Sequence, residues 1–160
     1  MWRREHKKKV IEPKDLGSKI KGIRSRGQTI ATLNGSFDLL HAGHLHIIFE
    51  ASKQADCLIV ALNSDASIKL YKSESRPLIP LEYRIEMISA LEFVDYVTWF
   101  DETDPREILK IIQPDVHVNG ADYKDGCIEE SVVSHVHYVD LIPGLSTSQI
   151  VDQIAKGQTS

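Results

Sequence analysis

The chain has 160 residues, the size of one ordinary domain. Apolar residues make up 42% and charged residues 26%, which excludes a disordered or fibrous chain. No apolar run approaches the ~18 residues of a membrane span, and the formal net charge of −4 combines a net of +7 over residues 1–26 with −11 over the rest.

In chain order, the basic segment 1–12 reads as a solvated arm. Its cations are not interleaved with aromatic residues, so neither nucleic acid nor a membrane is expected as a partner. The domain is expected over 13–160. Leu16, Ile20 and Ile23 lie at i, i+4 and i+7, which predicts a helix over 13–26, ended by Gly27. A strand follows over 28–33, then a loop over 34–40. A helix over 43–54 is expected to turn Leu45, Ile48 and Phe49 to the core. The continuous apolar run 57–62 fits a strand covered on both faces. Asn63-Ser64-Asp65 caps a short helix, and 71–79 reads as a loop. Helix 80–91, strand 96–100, a helix opened by Asp104-Pro105, and strand 116–119 come next. Residues 120–134 read as irregular, 136–142 as a strand, and 146–156 as a last helix. This alternation predicts one α/β domain: a Rossmann-like, three-layer fold around a five-stranded, mostly parallel sheet. Ligands in such sheets bind at the carboxyl ends of the strands, near the switch in strand order. Two separated cysteines, Cys57 and Cys127, exclude a disulfide scaffold and suit a reducing, cytoplasmic setting.

The loop after the first strand runs Asn34-Gly35-Ser36-Phe37-Asp38-Leu39-Leu40-His41-Ala42-Gly43-His44. It is neither a dinucleotide-binding glycine fingerprint nor a P-loop. Two histidines flank a glycine where a helix begins. Free N–H groups and the positive helix end favour an anion there. Gly43 lets it approach the backbone, and His41 and His44 add ring donors, which together suit phosphate. A metal held by His41, His44 and His46 lacks a fourth ligand, so no dedicated metal site is expected. Lys69, Lys72, Arg76 and Arg84 gather four of the body's nine cations in sixteen positions, a second pointer to an anion.

The segment from Asn34 to His44 resembles the HxGH signature of the nucleotidyltransferase superfamily that includes the cytidylyltransferases. Leu145-Ser146-Thr147-Ser148-Gln149-Ile150 resembles its ISTS/T motif, and Ser75-Arg76-Pro77, Tyr83-Arg84 and Phe93-Val94-Asp95 follow in the family's order. Asn63-Ser64-Asp65, Leu91-Glu92-x-Val94-Asp95 and Gly120-x-Asp122-Tyr123 are most similar to the heptose 1-phosphate adenylyltransferases. Asn119-Gly120-Ala121 departs from their more usual Lys-Gly-Gly, and 126–137 is shorter than in that family. The resemblance implies that ATP and a sugar 1-phosphate (heptose 1-phosphate) give an ADP-sugar and pyrophosphate for lipopolysaccharide core precursors, with Mg²⁺ held mainly by the nucleotide phosphates. It also implies a homodimer. A CTP-dependent enzyme acting on glycerol 3-phosphate and a non-catalytic nucleotide-binding subunit are the alternatives.

On this reading His41, His44 and Lys72 are catalytic. Asn34, Gly35, Ser36, Phe37, Asp38, Gly43, Asn119, Gly120, Asp122, Tyr123, Ser146, Thr147 and Ser148 bind nucleotide, and Arg76 and Arg84 bind the sugar phosphate. Some of these have a plainer reading beside the functional one: Asp38 as a loop-stabilising turn, Ser146 and Thr147 as helix caps, Arg76 and Arg84 as partners of acids.

Overall fold

A computed structural model describes residues 2–157, with side chains from Glu5 onward. Met1 of the basic arm and residues 158–160 of the domain lie outside the described residues. Five strands form one sheet: β1 (Ile30–Gly35), β2 (Cys57–Asn63), β3 (Tyr96–Phe100), β4 (Val116–Gly120) and β5 (Val136–Val139). Their order is β3-β2-β1-β4-β5, and every pairing is parallel. The chain moves outward from β1 through β2 to β3, then returns to the other side of β1 to lay down β4. The switch therefore lies between β1 and β4, where Leu33 is in register with Val60 on one side and Val118 on the other.

Seven helices accompany the sheet among the described residues: α1 (Trp2–Lys7), α2 (Leu16–Ser25), α3 (Ala42–Ser52), α4 (Asp65–Tyr71), α5 (Leu81–Ser89), α6 (Arg106–Ile112) and α7 (Thr147–Gly157). Alternate strand residues face opposite layers. Leu33, Leu58, Val60 and Leu62 pack with Ile48 of α3 and Ile88 of α5. Ile30, Ile59 and Ala61 pack with Ile23 of α2 and Ile112 of α6. All seven residues of β2 are buried; the first six are its unbroken apolar run and the seventh is Asn63. At the amino ends of the strands, carboxylates accept from main-chain N–H groups: Asp56 from Thr29, Asp95 from Leu58 and Asp115 from Ile30. That end is closed by local acids, which leaves the carboxyl end for a ligand.

Three expectations are corrected. The basic segment is not a free arm: His6 and Ile11 are buried, Ile11 N–H donates to Val97 O and Val97 N–H to Lys9 O, each at 2.8 Å. It covers the open edge at β3, which would otherwise offer unpaired groups to another chain. Helix α3 buries Ile47, Ile48 and Ala51, while Leu45 and Phe49 are exposed. Strand β5 stops at Val139, and Leu141 and Ile142 lie beyond it, exposed.

Candidate active site

His41 stands at the N-cap of α3 in extended backbone (φ −142°, ψ 172°). Its Nδ1 accepts from the N–H groups of Gly43 (3.1 Å) and His44 (3.4 Å). Accepting at Nδ1 fixes the tautomer, so the proton sits on Nε2, which becomes the free donor. The ring stacks on His44, with centroids 3.8 Å apart, and His44 meets the edge of Phe37 at 5.2 Å. A Cβ on Gly43 would lie 3.0 Å from the His41 ring and 3.4 Å from Leu145 O. Glycine is therefore required for the cap and the stack to coexist. Burial pushes the His41 ring below its usual range. Burial, then His41 and Lys72, push His44 down to about 4 against the pull of the Leu39 carbonyl. Both rings are neutral N–H donors near pH 7. His44 Nδ1 is buried and makes no hydrogen bond within normal geometry among the described residues, and the ring lines the cavity described next.

A cavity of about 350 Å³ opens at the carboxyl ends of β1 and β4, at the switch point. Asn34, Gly35, Ser36, Phe37, His41, Gly43 and His44 form one wall. Asn119, Gly120, Asp122 and Tyr123 form another, and Ser146, Thr147 and Ser148 bring up the amino end of α7. Lys72, at the C-cap of α4, reaches in and donates to Ser36 Oγ at 3.1 Å. Desolvation lowers its pKa; Asp38 opposes this, and the charges of Arg76 and Arg84 reinforce it. Asn119 is fixed at both ends: its Oδ1 accepts from Gly120 N–H, and its Nδ2 donates to Cys127 Sγ at 3.7 Å. A Cβ on Gly120 would collide with the Asp122 carboxylate. Ser146 Oγ accepts from Gln149 N–H at 3.2 Å and so caps α7.

Of the sequence-predicted site, these residues come together and three do not. Asp38 is buried behind the loop. Its Oδ1 accepts from Leu78 N–H (2.7 Å) and Ile79 N–H (2.8 Å), and its Oδ2 pairs with Arg76 at 3.0 Å. Burial raises its pKa, yet these donors outweigh it and hold the carboxyl below the usual range. Asp38 is thus a clamp, and Arg76 pairs with it through Nη1 and does not line the cavity. Arg84 is also corrected: it is fully buried, and its guanidinium donates to Ile79 O, Ser36 O, Asn63 O and Asp65. It cannot reach a sugar phosphate from there. Sequence reasoning missed the apolar lining, Leu33, Ile47, Leu141, Ile142 and Leu145. The one signal for part of it was Leu141-Ile142 just before the Pro143-Gly144 break, read as more strand.

A β-α-β sheet with phosphate-type donors at its switch point defines a nucleotide-binding α/β domain. Within that class, the chain belongs to the cytidylyltransferase-like family, a family of nucleotidyltransferases, whose model matches residues 32–153. It is 41% identical over 151 residues to bifunctional protein HldE of Wolinella succinogenes, covering 94% of this chain and 32% of that protein. It is 39% identical over 160 residues to bifunctional protein HldE of Marinomonas sp., covering 96% and 34%. The chain therefore spans about a third of the length of these curated relatives. The crystal structure of the lipopolysaccharide core biosynthesis protein from Thermoplasma volcanium shares the fold, with a TM-score of 0.61 at 23% identity, over 72% of this chain and 99% of that one.

Proposed function

We propose that the chain transfers the adenylyl group of ATP to a heptose 1-phosphate, giving ADP-heptose and pyrophosphate for lipopolysaccharide core precursors. The observation that carries this reading is the His41–Gly43–His44 turn, which aims neutral ring donors into a cavity also reached by Lys72 and the amino end of α7. Identity of about 40% to the HldE proteins over most of the chain supports the choice of substrates.

A sugar-phosphate oxygen attacks the α-phosphorus. The new P–O bond forms as the bond to the β-phosphate breaks, and the electron pair leaves on pyrophosphate. The nucleophile is already an anion at pH 7, so no general base is needed. The barrier lies in joining two polyanions and in the charge that builds on the phosphoryl oxygens. His41 Nε2–H and the His44 ring donate to those oxygens. Lys72 supplies positive charge beside Ser36, and the N–H groups of Ser36 and Phe37 and the start of α7 hold phosphate. Asn119, Asp122 and Tyr123 face the base or the sugar.

Mg²⁺ enters with the triphosphate as part of the substrate and lowers its charge. The protein's donors fit that mode: Asp122 is the one carboxylate on the cavity wall among the described residues, and Mg²⁺ keeps phosphate and water ligands. The proposal includes a cytoplasmic homodimer. Both cysteines are free thiols, and no described helix is long and apolar enough to cross a membrane.

The test is product identification by ³¹P NMR after mixing the protein with MgATP and heptose 1-phosphate. The expected result is a new pyrophosphate-diester pair with free pyrophosphate. Unchanged ATP and sugar-phosphate signals contradict the proposal.

A further inference from the structure

Arg84 lies outside the cavity, yet it holds the loop that forms the cavity's wall. Its side chain is wholly buried, and its Nη1 donates to Ser36 O at 2.6 Å and to Asn63 O at 2.8 Å. In a planar trans peptide the C=O and the following N–H point to opposite sides. Drawing Ser36 O toward the guanidinium therefore turns the Phe37 N–H the other way. Phe37 lines the cavity, and its N–H has no partner among the described residues. Phe37 also sits in the left-handed region, φ +46°, where a bulky side chain is disfavoured unless its surroundings hold it.

We propose that Arg84 is a positioning residue: by holding Ser36 O it aims the Phe37 N–H into the cavity and polarises that peptide as a donor to the nucleotide's α-phosphate. The inference rests on the proposed function for its chemistry. A charged donor on a carbonyl strengthens the N–H of the same peptide, because each bond polarises the next. The fork of a guanidinium is needed to reach Ser36 O, Asn63 O, Ile79 O and Asp65 at once; an ammonium on a flexible stem is not equivalent. A purely structural strut would affect folding alone, whereas this arrangement acts on the developing charge.

The test is Arg84→Lys in the full chain, at a temperature where circular dichroism shows it folded. Two readouts are made: pyrophosphate release with MgATP and heptose 1-phosphate, and the Phe37 amide resonance on adding Mg²⁺ and α,β-methylene-ATP. The expected result is kcat lowered at least about tenfold with KM for ATP within about threefold of the parent. The Phe37 amide should move downfield in the parent and less than half as far in the variant. If Arg84→Lys does not fold, Asp65→Asn loosens the guanidinium at a carboxylate that is 41% exposed, with the same pattern at smaller amplitude. Parental kcat with a parental Phe37 response in the folded variant overturns the inference, as does a loss carried by KM alone or a Phe37 amide in the parent that ignores the nucleotide. A parent that releases no pyrophosphate contradicts the proposed function, while the amide response still decides the role of Arg84.

Discussion

His41 serves two ends with its two nitrogens, and they can be separated. Nδ1 caps α3, and Nε2–H faces the substrate on the proposed reading. Asparagine is a good N-cap but does not place a donor where Nε2 lies. His41→Asn is therefore expected to keep parental stability in urea while kcat falls by about 10²–10³. His41→Ala should lose the rate equally and also about 0.5–2 kcal/mol of stability. Buried histidines set a pH dependence as well. His44 and His117 are both depressed from 6.5 to about 4, His44 by burial and then His41 and Lys72, His117 by burial alone. His117 lies in the sheet, its Nδ1 2.8 Å from Thr32 Oγ1. Between pH 6.5 and 4 the unfolded chain binds more protons at these rings than the fold does. Their contribution is thus complete above 6.5 and lost as pH falls toward 4. Urea midpoints measured from pH 7 to pH 5 should fall, and His117→Gln should flatten part of that slope.

At the scale of elements, the loop 36–40 is held from behind by two charged side chains, Asp38 and Arg84, with the segment 76–79 between them. Removing the Asp38 carboxylate leaves Arg76 and two main-chain N–H groups unmatched. Asp38→Ala is expected to cost about 3–5 kcal/mol in urea denaturation at pH 7; a cost below about 1 kcal/mol would show that the clamp is dispensable. In sequence these roles stood only as the plainer alternatives, without their partners. Asp38 meets residues about forty positions away and Arg84 meets the loop 48 positions back, so no local spacing announces either. The same four cations that suggested an anion site turned out divided. Lys72 faces the cavity, Lys69 is exposed on α4, Arg76 pairs with Asp38, and Arg84 is taken up by carbonyls and Asp65. The inner face of α3 was also misjudged, because its apolar residues are crowded at 45, 47, 48, 49 and 51 and two faces compete.

For the whole molecule, the strands and the cavity at their carboxyl ends were legible because they rest on local signals: an unbroken apolar run for β2, a His-Ala-Gly-His turn after β1, and Ser-Thr-Ser at the start of α7. The strand order brings β1 beside β4 and so sets the loops after residues 35 and 120 across one cavity. That convergence was expected from the rule for open parallel sheets rather than from any one residue. The docking of residues 9–11 on the β3 edge was hidden because a lysine run reads as solvated, although His6 and Ile11 beside it are buried. The measurement that bears most directly on the account is pyrophosphate release with Mg²⁺, offering ATP or CTP against heptose 1-phosphate and glycerol 3-phosphate. The account predicts release with ATP and heptose 1-phosphate alone, slowed by about 10²–10³ in His41→Asn. Release with CTP and glycerol 3-phosphate, or an undiminished rate in His41→Asn, would contradict it.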